Sequence, residues 1–268
     1  MKQEEKNEMS IIDHLNDLRK FLFHSVVAVF IGAIVAFANI KFIFNHIIFA
    51  PKEVDFVTYR LFCKISEALC IKQIPIHIIN RQMAGQFSAH IWTALIFGII
   101  IAFPYILYEL WKFIKPALYE NEKKYGVTFV FVSSVLFILG VLFGYYVITP
   151  LSVNFLGNYM VTDEIMNNID LQSYNSLVRT TVLANGLIFE LPIIIYFLAR
   201  MGLVTADFMK NNRKYALVIV LLLAAIITPP DIISQIIVSI PLMILYEASI
   251  YIAKIVGKTD TTEISKKE

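Results

Sequence analysis

Apolar runs long enough to cross a bilayer decide what this chain can fold into. About 20 apolar residues cover roughly 30 Å of hydrocarbon as a helix, and runs of that kind, bounded by charge, recur along the 268 residues. They place spans at about 21–40, 86–108, 126–149 and 179–200, the third closing at Pro150 and the fourth holding Glu190 as the only charge in its interior. The last apolar stretch, 215–253, is too long for one span and is broken by Thr228-Pro229-Pro230-Asp231, where two prolines cannot continue a helix. It reads as two short spans, about 214–228 and 232–253, joined by a tight turn; the first of them, at about 21 Å, falls short of the hydrocarbon thickness. The expectation is an all-α integral membrane protein with six transmembrane helices. With 58% hydrophobic and 16% charged residues and a mean hydropathy of +0.69, the chain does not suit a water-soluble surface.

Basic residues are retained on the cytoplasmic side when loops are short, so their placement tests topology independently of hydropathy. Lys2, Lys6, Arg19 and Lys20 precede the first span; Lys112, Lys115, Lys123 and Lys124 lie between the second and third; Arg200, Lys210, Arg213 and Lys214 lie between the fourth and fifth; Lys254, Lys258, Lys266 and Lys267 close the chain. Residues 150–178 and the Pro229-Pro230-Asp231 turn hold none. Both termini are therefore expected in the cytoplasm, with 1–20 a cytoplasmic amphipathic helix, 255–268 a cytoplasmic tail, and the chain multi-pass in the cell inner (cytoplasmic) membrane. The exception is the long external loop 41–85, with six basic residues, where the rule has less force and which also holds Glu53, Asp55 and Glu67. Ala36-Phe37-Ala38 imitates a signal-peptidase site, but a largely polar, partly acidic stretch, 1–20, precedes the run, so it reads as an anchor. No repeat links the two halves, which weakens an inverted-repeat transporter.

A formal charge of +2 leaves no nucleic-acid footprint, and two cysteines are too few for a disulfide framework or a thiolate metal site. There is no Gly-rich phosphate loop, no His-Glu-x-x-His pair and no Gly-x-Ser-x-Gly elbow. Neither an enzyme, nor a cofactor, nor a metal is expected.

Ser10-Ile11-Ile12-Asp13 has the form of a capping box, and Ile11, Leu15, Leu18 and Leu22 follow at helical spacing with Asp13, Asp17 and Lys20 opposite. This reads as a helix lying on the cytoplasmic surface, either a plain anchor with solvated charges or a ligand-bearing face; His14 reads as an interfacial side chain. In the segment 109–125, Trp111, Phe113 and Tyr119 form either an aromatic belt or a structured surface presenting Glu122 to a cationic ligand. The flanking lysines repel basic peptides mildly, so such a ligand needs short-range, oriented carboxylate contacts.

Glu190 sits near the bilayer midplane, where an ionised carboxylate costs at least a few kcal/mol, so it faces a polar cavity or a partner, or is protonated. Pro192 removes a hydrogen bond to the Ile188 carbonyl and predicts a kink. Glu247, two turns before Lys254, either pairs locally or has a role of its own, and Asp231 reads as a cap of the last helix. Cys63 and Cys70, seven apart, would lie about 10 Å apart along a helix, too far for a disulfide unless the segment is not helical.

Taken in order, His14-Leu15-Asn16-Asp17-Leu18-Arg19, Phe103-Pro104-Tyr105-Ile106-Leu107-Tyr108-Glu109-Leu110-Trp111, Pro116-Ala117-Leu118-Tyr119-Glu120-Asn121-Glu122, Phe189-Glu190-Leu191-Pro192 and Thr228-Pro229-Pro230-Asp231 closely resemble the TatC family of twin-arginine translocase subunits. The resemblance covers nearly the whole chain. It implies a concave six-helix receptor that recognises the Arg-Arg motif of signal peptides on folded cargo. It also implies assembly with TatA-type or TatB-type single-span subunits, self-association in a larger complex, and export driven by the proton-motive force. Asp17 and Glu122 match the family's acidic residues that bind the arginine pair, Arg19, Phe113 and Pro116 its supporting cytoplasmic surface, Glu190 its intramembrane acid, and Pro51 and Asp231 its external motifs. The family usually has Glu at the position of Asp17 and often Gln at that of Glu109, and its loop corresponding to 45–85 is usually shorter. The competing function is a small-molecule or ion transporter with Glu190 as its proton-coupled site.

Overall fold

The computed structural model describes residues 11–65, 70–71, 74–117, 126–162, 167–227 and 232–264. In chain order the elements are α1 (Ile11–Ala38), α2 (Ile40–Ile43), α3 (Val57–Ile65), β1 (His77–Ile79), α4 (Gly85–Ile114), α5 (Gly126–Phe143), α6 (Thr149–Asn158), β2 (Asn168–Asp170), α7 (Leu171–Ile188), α8 (Leu191–Arg200), α9 (Ala206–Asn211), α10 (Arg213–Ile227) and α11 (Ile232–Ile264). π-helical turns at Phe44–Ile48 and Gly144–Ile148, and tight turns at Ala50–Lys52 and Lys115–Ala117, complete them. The fold is all-α, as expected, apart from two three-residue strands. His14–Ala38, Gly85–Ile114, Gly126–Asn158, Leu171–Arg200 and Ser234–Val256 are long and apolar enough to cross a membrane, while α10, at 15 residues or about 22 Å, is shorter.

One compact unit is drawn from Met1–Asn39 and Ile91–Ser134. Its α1 is a single 28-residue helix, about 42 Å long. This corrects the expectation of a separate surface helix: neither Gly nor Pro interrupts 11–31, so the amphipathic stretch runs straight into the first span. α1 and α4 cross at Gly32 and Gly98, where a Cβ on Gly98 would lie 2.7 Å from the Ala33 nitrogen and the Val29 oxygen. Lipid tails are as apolar as side chains, so helices associate there by close backbone packing, which only small residues allow. α4 carries Pro104 internally and ends at Ile114, just ahead of the Lys115-Pro116 pair.

The second unit is drawn from Ile40–His90 and Val135–Glu268. The helix of the expected third span continues through Pro150 to Asn158, instead of ending at that proline. Pro150 lacks the amide that would bond to the Tyr146 carbonyl; the Thr58 hydroxyl donates to that carbonyl instead, and Thr149 Oγ1 donates to the Gly144 carbonyl at 2.8 Å. α5 and the π turn after it approach α7 at Gly140 and Gly144, where an added Cβ would lie 2.5 Å from the Asn185 oxygen and 2.9 Å from the Thr181 oxygen respectively. The fourth span begins at Leu171, earlier than the uncharged run suggested, because Asp170 caps α7 by accepting from the Gln172 amide at 3.0 Å.

β1 pairs in parallel with β2, His77 opposite Asn168 and Ile79 opposite Asp170, and Arg81 adds a bond from its amide to Asp170 at 3.1 Å. The sequence predicts a long loop at 41–85; its described residues instead include helices and a strand tied to the stretch before α7. Elsewhere in this unit, Ile148, Val220, Ala224, Val238 and Leu242 form one apolar core, and Ala199, Met209, Ile250, Ala253 and Val256 another.

Candidate functional site

Asp17 lies in the second turn of α1, half-exposed, its Oδ1 3.2 Å from Lys20 Nζ. A pair with 70% of the lysine side chain exposed is screened by water and holds the carboxylate only weakly. Asn16, Arg19, Lys20, Phe23 and His24 line a groove of about 400 Å³ beside it. The surroundings of Asp17 are thus basic, as the sequence suggested for the partner segment.

The C-terminal end of α4 braces this stretch. Phe113 stacks on His14 with ring centroids 4.5 Å apart and on Phe21 at 6.1 Å, so Phe113 is a packing residue between two turns of α1. Trp111, for which the sequence left a belt position open, is buried and packs 5.2 Å from Phe129, with Gly126 against its indole nitrogen. The sequence marks Glu109 only as a position where the family often has Gln and assigns it no contact. It is 5% exposed, accepts from Lys112 Nζ at 2.8 Å, and lies 3.5 Å from His24 Nδ1. It ties α4 to the His24 side of the groove; the readable signal was the Glu-x-x-Lys spacing at a helix end. Pro116 lies in the turn that ends α4. Glu122 and Asp231 lie outside the described residues, as do Ser10 of the expected capping box and the Thr228–Asp231 turn.

In the second unit, Glu190 is 7% exposed and occupies the break between α7 and α8. The kink expected from Pro192 is a complete two-residue interruption: the Glu190 amide bonds back to the Leu187 carbonyl at 3.1 Å, and the Glu190 carbonyl accepts from Ile193 and Ile194. Asn185, one turn earlier and fully buried, donates to the Thr181 carbonyl at 2.8 Å. The interior of this span thus holds two buried polar side chains, Asn185 and Glu190.

Pro51 is buried, and its carbonyl shares the Tyr59 hydroxyl, at 2.9 Å, with the Pro150 carbonyl at 2.8 Å. Tyr174 and Tyr145 donate to the Ile48 and Ile47 carbonyls at 2.8 and 2.9 Å. A π turn leaves its last carbonyls without helical partners, and these hydroxyls satisfy them. Burial pushes the Tyr59 phenol up from its ordinary value, which keeps it a donor.

Two pairings that the sequence leaves open are decided here. Cys63 and Cys70 form a disulfide, with Cα atoms 4.2 Å apart, because α3 ends at Ile65 and the helical spacing assumed for them does not hold. Glu247 pairs with Arg213 Nη2 at 2.7 Å, not with Lys254, because α10 and α11 run side by side and bring a guanidinium 34 residues distant within reach. Among the described residues no three His, Cys, Asp or Glu side chains gather as a metal site requires.

Long apolar helices, a polar break within one of them and exposed charges at a helix end define a multi-pass membrane protein. Residues 13–241 match the profile of the TatC family, described as Sec-independent protein translocase protein. The TatC protein of Blattabacterium sp. subsp. Periplaneta americana is 45% identical over 261 residues, covering 95% of this chain and 98% of the relative. That of Helicobacter pylori strain 26695 is 38% identical over 245 residues, covering 91% and 87%. The crystal structure of a twin-arginine translocase receptor, TatC, superposes with a TM-score of 0.69 at 33% identity, covering 91% of this chain and 99% of that one. The chain belongs to the TatC family: it is a membrane component of the Sec-independent protein translocase, a transport protein and not an enzyme.

Proposed function

We propose that this translocase component is the receptor for twin-arginine signal peptides, with Asp17 and Glu122 accepting the two guanidinium groups on the cytoplasmic face. The observation that carries the reading is the Asp17 carboxylate, 41% exposed and paired, among the described residues, with a surface lysine, on a stretch of α1 against which Phe113 packs. A guanidinium presents a planar fork of donors that fits both oxygens of a carboxylate, whereas an ammonium is a point charge that merely replaces Lys20. The basic groove at Arg19, Lys20 and His24 repels loosely attached cations, so selection rests on that fork.

The reading includes six spans with both termini inside. The alternation of basic residues supports it, and so does the Cys63–Cys70 disulfide, a bond that persists in an oxidising compartment and thus favours 41–85 on the outside. Glu190, buried in the polar break of its span, is the contact for TatA-type or TatB-type single-span subunits, which assemble with several copies of this chain for export driven by the proton-motive force.

The test is binding of a twin-arginine signal peptide to the purified chain, compared with its Lys-Lys counterpart. Charge-assisted bonds contribute about 1.5–3 kcal/mol each, so Lys-Lys is expected to bind at least tenfold more weakly. Equal affinity sinks the reading, and so does unchanged affinity after Asp17→Ala combined with Glu122→Ala.

A further inference from the structure

Six Lys or Arg residues in 41–85 break the charge pattern that the rest of the chain obeys, and peptide recognition makes no use of them. Three have local partners: Lys52 pairs with Glu53 at 2.6 Å, Arg60 with Asp55 at 3.5 Å, and Arg81 donates to the Asn168 carbonyl at 3.3 Å. Lys41 has no ion pair among the described residues. It lies three residues past the end of α1, at the polar margin of the first span.

Lys41, Lys52, His77 and His90 all line one pocket of about 650 Å³, whose described lining residues include no Asp or Glu. Asn45, Asn80 and Gln86 add amide donors to its wall, and Phe44, Phe49 and Ile76 an apolar side. Gln86 and His90 belong to the opening turns of α4, so this wall too sits at a span's end. A cationic, donor-rich pocket with an apolar side, at the level where a span leaves hydrocarbon, has the polarity profile of a phospholipid's headgroup region.

We propose that this pocket binds the phosphate of an anionic phospholipid, with Lys41 and Lys52 as its cationic contacts and the phenylalanines against the glycerol and upper acyl chain. Lys52 is shared with Glu53, which leaves Lys41 as the larger contributor. A free phosphate ion offers the same oxygens and makes no use of the apolar side. The site accounts for basic residues that topology alone does not explain, and it stands independently of the peptide reading.

The test uses the full chain purified in neutral detergent. Native mass spectrometry compares retention of phosphatidylglycerol with phosphatidylcholine of the same acyl chains, and with inorganic phosphate. Phosphatidylglycerol is expected to be retained at least tenfold more tightly than phosphatidylcholine. Lys41→Gln with Lys52→Gln should lose that preference, Lys41→Arg with Lys52→Arg should keep it, and Lys64→Gln, outside the pocket, should leave it unchanged. Lys41→Gln alone, at an exposed position without an ion pair, keeps the test open if the double variant misfolds. Equal retention of the two lipids overturns the proposal, as does a preference indifferent to Lys41→Gln. Binding of inorganic phosphate with no selective lipid retention assigns the pocket to a free ion and overturns the lipid assignment.

Discussion

The ring of Phe113 lies 4.5 Å from the imidazole of His14, 27° from parallel, and so joins the end of α4 to the second turn before Lys20 on α1. Aromatic pairs of this kind contribute about 0.5–1.5 kcal/mol beyond their buried area. Phe113→Ala is therefore expected to weaken twin-arginine peptide binding about two- to tenfold and to raise amide exchange across 14–21. Phe113→Tyr should do neither. Faster exchange with unchanged peptide affinity would separate the brace from recognition.

The Gly32–Gly98 crossing is expected to be intolerant of any side chain. Gly98→Ala puts a methyl against backbone atoms 2.7 Å away that cannot rotate aside, and overpacking costs about 1–3 kcal/mol. Gly202→Ala meets nothing within 4 Å, and its cost, about 1 kcal/mol, comes from its φ of 71° alone. Thermal unfolding in detergent should show the larger drop for Gly98→Ala; the reverse order would refute the crossing.

Tyr59→Phe removes the donor shared by the Pro51 and Pro150 carbonyls and leaves both buried acceptors without it, a loss of about 1–3 kcal/mol. Because the folded phenol is raised above its unfolded value of about 10, its contribution is complete below that pH and is lost as pH climbs toward the folded value. Wild-type stability should thus fall above about pH 10 more steeply than that of Tyr59→Phe, as unfolding midpoints measured across that range would show.

Glu190→Gln keeps the size of the side chain in the α7–α8 break but not its charge. Peptide affinity should stay within twofold while copurification with single-span subunits and cargo export are lost. Solute flux in vesicles holding this chain alone, pH-dependent and abolished by the same substitution, would instead establish the transporter reading.

Cys63→Ser with Cys70→Ser removes a cross-link that closes a short loop, about 2 kcal/mol by chain entropy. In intact cells a membrane-impermeant maleimide should label these cysteines only after reduction. Labelling that requires permeabilised membranes would reverse the proposed orientation.

Much of the fold was legible because its causes are local. A charge-free run gives a span, and Pro192 beside Glu190 gives a break, whatever lies elsewhere in the chain. Asp17 was likewise legible as a polar face at helical spacing, but the brace behind it was not, since Phe113 and His14 are almost 100 residues apart and only a chain path brings their rings together. Pro150 misled for a related reason: it frees the Tyr146 carbonyl, which locally ends a helix, yet Thr58 supplies the missing donor from a different element.

The amino-acid order by itself determined that this is a helical membrane protein, roughly where its apolar helices lie, and which acidic residues fall within or beside them. Tertiary structure alone decided the Cys63–Cys70 bridge, the Arg213–Glu247 pair, the burial of Glu109 and the gathering of Lys41 with His77 and His90. Transfer to hydrocarbon and helix breaking are properties of a residue and its near neighbours, whereas pairing between distant groups depends on the path the folded backbone takes to bring them within bonding distance.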